Sequence, residues 1–150
     1  MAITDNHLRA LGRITVELAW VEWFCGQVTG ILIGDLDVGD IVTAHLSFKN
    51  KADLIYSLFK HKYGENSCPK LKSILNEIQT LVDARNGYIH SFWSEHPTQI
   101  DAAIRSKISA RKSKGLQEEK ESVSFQTLDK LADDFEQYGQ RFSDFMGDVI

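Results

Sequence analysis

Between residues 5 and 33 the apolar residues Leu8, Leu11, Ile14, Leu18, Val21, Cys25, Val28 and Leu32 recur at steps of three or four. That is the period of an α-helix, and it continues for about eight turns without a proline. Thr4, Asp5 and Asn6 offer an N-terminal cap. One long helix is expected here, roughly over 5–33. Trp20, Trp23 and Phe24 lie beside the stripe, so its middle is apolar on more than one face. A helix of that kind is covered from two directions, by other helices of its own chain or by a second subunit. Glu22 falls inside this apolar centre, either as a snorkelling surface carboxylate or as the partner of a cation on a neighbouring helix.

The remaining chain reads as more helices with one interruption. The segment 34–40, GDLDVGD, is a turn-rich break, and Asp40 is expected to cap a short helix through Ile41, Ala44, His45 and Phe48. Its aspartates do not make a calcium loop, because position 12 counted from Asp35 is Leu46. Ala52, Leu54, Ile55, Leu58, Phe59 and Tyr63 continue helically to Gly64, a C-terminal stop. After a loop, Ser67 or Cys68 caps a helix with Pro69 early in it, running to about Ser91. Pro97 prevents its continuation. From Ile100 to Ala110 apolar and polar residues alternate, and Lys112-Ser113-Lys114-Gly115 reads as a turn. A small β-hairpin is expected, with Arg105, Lys107, Arg111, Lys112 and Lys114 making it basic. Ser124 or Thr127 then caps a last helix whose stripe includes Leu128, Leu131, Phe135, Phe142 and Met146. The expected fold is mainly all-α: one domain over 1–150, an up-and-down bundle of four to five helices with a small hairpin before the last.

Several function classes are excluded at this level. The five histidines lack the spacing of a helical zinc pair with further ligands, and CxxC, GxSxG, Walker A and GxGxxG patterns are all absent. No metal and no cofactor is expected. Cys25 and Cys68 are far apart and fit a reduced, cytoplasmic protein. No uninterrupted apolar run approaches the ~20 residues of a membrane span, and the N-terminus lacks the pattern of a signal peptide. Net charge is −4, yet it is unevenly spread. Residues 41–116 carry twelve basic and six acidic groups, a local balance of +6, between flanks of −4 and −6. Local field, not net charge, steers an anionic ligand; helices pairing acidic with basic faces would give the same pattern.

Within that basic segment the stripe Leu71, Leu75, Ile78, Val82 leads to Arg85, at a position where an apolar residue is due. A guanidinium there is either paired or opens onto a polar cleft, since an unpaired buried charge is costly. Asn86 and His90 are four apart and share a helix face. Arg85-Asn86-Gly87-Tyr88-Ile89-His90 near the end of an amphipathic helix resembles the signature of the HEPN superfamily: an Arg, a polar residue, and a His a few positions on.

The resemblance implies a metal-independent endoribonuclease in which the RNA's own 2′-OH is the nucleophile. It gives His90 the role of general base or acid and Arg85 that of stabilising charge on the phosphorane-like transition state, with Asn86 orienting phosphate or imidazole. It further implies a homodimer in which each subunit brings one motif to a shared cleft. It places RNA and an antitoxin protein among the partners, as in toxins and phage-defence effectors. Tyr88 and Trp93 are candidates to stack on bases, against the plainer role of core packing; Lys51 is a candidate phosphate contact, against the plainer role of a solvated face. Two other classes stay open: a non-catalytic HEPN-like module binding nucleotide or protein, with Arg85 in a structural ion pair to Glu22, and a helical dimerisation protein without a ligand.

Overall fold

A computed structural model describes residues 3–111 and 114–150. The expected turn at Lys112-Ser113 lies outside them, as does the side chain of Arg111. The described residues are mostly helical: α1 (Asp5–Ile33), α2 (Leu36–Thr43), α3 (Phe48–Tyr63), α4 (Cys68–Ile89) and α5 (Phe125–Val149). A 3-10 turn over Glu65–Ser67 precedes α4. Three antiparallel strands, β1 (Phe92–Glu95), β2 (Ala102–Arg111) and β3 (Gly115–Ser124), lie before α5 in the order β1-β2-β3. The chain groups into two compact units, one of Met1–Thr15 with Asp83–Asp133, the other of Val16–Val82 with Asp134–Ile150.

The first unit is built on the sheet. Strand period puts Trp93, Ala103 and Val123 on one face, where all three are buried, and Phe92, Ser106, Ile108 and Lys120 on the other. The expected hairpin is β2–β3, in register from Ala102↔Ser124 to Arg111↔Gly115. β1 was not expected, because the region was read as the end of a longer α4. The helix stops at Ile89, and Phe92–Glu95 pairs with Ala103–Ser106 instead. Thr4 caps α1, its hydroxyl accepting from the His7 amide at 3.3 Å. His7 is fully buried with both ring nitrogens engaged: Nδ1 with the Thr4 hydroxyl at 2.6 Å, Nε2 with the Val123 carbonyl at 3.1 Å. A carbonyl only accepts, so Nε2 is the donor of that bond. Arg13 on α1 bridges Asp129 and Asp133 on α5 at 3.0 and 2.8 Å. These contacts, the Asp133 bond foremost, raise the Arg13 pKa.

The second unit has an aromatic core. Phe24 stacks on Trp20 at 5.3 Å and meets the edge of Phe142 at 5.0 Å, while Phe59 lies between Tyr63 and Phe145. α2 begins earlier than expected: Asp35, not Asp40, is the cap, its carboxylate accepting from the Val38 amide at 3.1 Å. The glycine read as a turn signal, Gly39, sits inside α2 because the helix lies on α1 there. A Cβ on Gly39 would overlap the backbone of Gly30. Gly64 ends α3 at φ +83°, its N–H bonded to the Lys60 carbonyl at 2.9 Å. Ser47 and Ser124 cap α3 and α5.

By length and composition, α1 is apolar enough to cross a membrane, with a mean hydropathy of 1.2 over 18 residues. Counting uninterrupted runs misses this, because an average tolerates the charges that break a run. The core helix of a soluble protein meets the same criterion.

Candidate functional site

Arg85, Asn86 and Tyr88 belong to the last turn of α4, and His90 follows the helix by one residue. The His90 amide still bonds to the Asn86 carbonyl at 3.2 Å, so the backbone keeps helical pitch through the motif. The Ser91 hydroxyl bonds back to the Gly87 carbonyl, and β1 starts at Phe92. A helix end feeding directly into an edge strand thus presents Arg85, Asn86 and His90 at one corner of the first unit.

Arg85 is half-buried. Its Nη1 donates to the side-chain oxygen of Asn86 at 3.0 Å. The partner is a neutral amide, so the guanidinium charge is not cancelled by it. Arg85 Nε is buried and has no acceptor among the described residues. Glu22, weighed from the sequence as the carboxylate for Arg85, pairs with Lys51 at 3.9 Å. Both belong to the second unit, whereas Arg85 belongs to the first.

Lys51 is only 7% exposed, on α3 beside Glu22 and Cys25. It is a buried, paired lysine and not an exposed phosphate contact. Burial drives the Cys25 pKa up to about 12; Lys51 opposes the rise and Glu22 adds to it.

The two aromatic candidates pack against each other. Trp93 is 6% exposed; its Nε1–H donates to the Tyr88 carbonyl at 2.9 Å, and its ring lies 6.0 Å from that of Tyr88. Arg105 covers the other partner, its guanidinium 5.4 Å from the Tyr88 ring centre and 3.4 Å from Glu121. The buried indole has no free face for a base, and Arg105 lies over one face of the half-buried Tyr88 ring. Burial raises the Tyr88 pKa, Glu121 adds to the rise and Arg105 opposes it. Gly87 lies under the same side chain: a Cβ there would come within 3.1 Å of Arg105 Nη1. Arg105, expected in a basic arm, is instead held against the helix. Lys107 and Lys114 are exposed.

His90 is exposed and lines an open groove of about 470 Å³ on the outer face of the sheet. The other walls are Phe92 and Ser94 from β1, Ser106 and Ile108 from β2, and Glu118 and Lys120 from β3. Arg85 and Asn86 are not among its walls. Within one chain the fold therefore joins Arg85 to Asn86 and gives His90 a groove of its own. Phe92, Ser106 and Lys120 were not singled out in the sequence as ligand-facing. Their common rung, Phe92↔Ser106↔Lys120, exists only once β1 is paired. No family model, no curated protein and no solved structure matches the chain.

Proposed function

We propose that the protein is a metal-independent endoribonuclease of HEPN type, acting as a cytoplasmic homodimer of up-and-down helical bundles. The observation that carries the reading is the pairing of Arg85 with a neutral amide instead of a carboxylate, one turn before an exposed histidine. A guanidinium left with net charge is suited to phosphate oxygens.

In the proposed reaction an imidazole takes the proton of the RNA 2′-OH. O2′ attacks the adjacent phosphorus, the P–O5′ bond breaks, and the leaving 5′-oxygen takes a proton from an imidazolium. The products are a 2′,3′-cyclic phosphate and a 5′-hydroxyl. Arg85 stabilises the added charge on the phosphorane-like transition state, and Asn86 holds the guanidinium in place. One histidine per chain serves one proton transfer at a time, so two copies of the motif suit the reaction better than one. The exposed apolar residues Val16, Trp23, Ile31, Ile41 and Val42 of the second unit support a dimer, because a second copy would take them out of water. The same resemblance extends to the role of a toxin or defence effector with an antitoxin partner.

The test is cleavage of a labelled RNA in EDTA. Cyclic-phosphate ends are expected, with a loss of about 10²- to 10⁴-fold in His90→Ala. Arg85→Ala is expected to lose about 10²- to 10³-fold while keeping the wild-type circular dichroism. Metal-dependent cleavage, or full activity in His90→Ala, overturns the reading.

A further inference from the structure

The outer face of the sheet carries more chemistry than the imidazole at its corner. Phe92 is 64% exposed, an unusual state for a phenylalanine on a sheet that buries its opposite face. It is two residues from His90 and lines the same groove. Across the strands its neighbours are Ser106 and then Lys120, so one rung presents an aromatic ring, a hydroxyl and an ammonium in that order. Adjacent strands lie about 4.8 Å apart, which spaces the ring and the ammonium by roughly 10 Å. That sequence of groups matches the parts of one nucleotide: a base face, a ribose hydroxyl and a phosphate. Ser94 and Ile108 extend the groove on either side of the rung.

We propose that this groove binds single-stranded RNA, with Phe92 as the stacking platform for one unpaired base beside the scissile position. The proposal rests on the ribonuclease reading for the identity of the polyanion, and it transfers the stacking role from Tyr88 and Trp93 to Phe92. Bases in a duplex are already stacked and paired, so their faces are closed to a side chain; an unpaired base has a face to give. The Lys120 ammonium is shared with Glu118 at 3.6 Å. Both side chains are more than half exposed, and an ion pair of that kind is weak, so a phosphate displaces the carboxylate readily. Stacking on an aromatic is tolerant of base identity, and the groove is accordingly a reader of strandedness more than of sequence.

The experiment uses the full chain with His90→Ala, which keeps RNA intact, and a fluorescein-labelled 12-nucleotide RNA in fluorescence anisotropy. The single strand is expected to bind, and the same strand annealed to its complement to bind at least tenfold more weakly. Adding Phe92→Ala is expected to weaken binding about 5- to 100-fold, and Phe92→Tyr to restore it. Lys120→Ala is expected to lower the slope of log affinity against log salt by about 0.7. Single-strand affinity untouched by Phe92→Ala overturns the proposal, as does equal affinity for duplex or no measurable affinity. Cleavage by the wild-type chain reports separately. Cleavage with a Phe92-insensitive affinity removes this groove and leaves the nuclease; Phe92-dependent binding without cleavage removes the nuclease and leaves the groove.

Discussion

Trp93 shows how one residue's position reverses its role. At the end of an amphipathic helix an indole is a reasonable platform for a base. On the inner face of β1 it is a core residue with its one donor used on the Tyr88 carbonyl. Trp93→Ala is expected to destabilise the protein by about 3–5 kcal/mol in urea denaturation, and Trp93→Phe by much less. Cys25 is a second case. Its thiol releases a proton near pH 9 in the unfolded chain and only at about 12 in the folded one. The folded state therefore holds the proton longer. The stability this lends is complete below about pH 9 and is lost as pH rises toward 12, at a slope of at most about 1.4 kcal/mol per pH unit. Melting temperatures between pH 8 and 11 are expected to fall less steeply in Cys25→Ala. Arg85 had two readings in the sequence, buried mortar or cleft cation. The structure pairs it with Asn86 and gives Glu22 to Lys51, and nothing in residue type alone foretells that.

At the scale of elements, the long helices were legible because periodicity and caps agree over many turns. α1 has the expected extent, α5 starts at one of its two expected caps, Ser124, and Gly64 stops α3 where a positive-φ residue is needed. The failures are short elements. β1 has four residues, too few for alternation to stand out from the helix before it, and its existence depends on β2 as a partner. The start of α2 was hidden by its Asp and Gly residues, which read as turn signals until α1 is placed against them. Gly30→Ala is expected to lower the melting temperature by several degrees, because the added methyl would come within 2.7 Å of the Leu36 Cα. His7 is the counterpart in the first unit. His7→Phe keeps the ring but strands the Val123 carbonyl, and a cost of about 1–3 kcal/mol is expected in chemical denaturation.

At the scale of the whole molecule, the second unit carries exposed apolar side chains that favour a covering partner. Trp23 is 57% exposed and Ile41 71%, and between residues 14 and 48 there is no Lys or Arg to soften that face. Light scattering is expected to give the mass of a dimer, and Trp23→Asp to give that of a monomer with lower cleavage activity at equal chain concentration. The sequence by itself determined the helical class, the extent of α1, the stop of α3 at Gly64, and the motif Arg85-Asn86…His90, because each depends on residues close along the chain. Only the tertiary structure decided that Glu22 belongs to Lys51, that Trp93 faces inward and packs on Tyr88, and that Phe92 stands beside His90 with Ser106 and Lys120. Those relations join residues up to some thirty positions apart through strand pairing and helix packing. Local pattern sets each element's period, but which face meets which partner is chosen by burial of the whole.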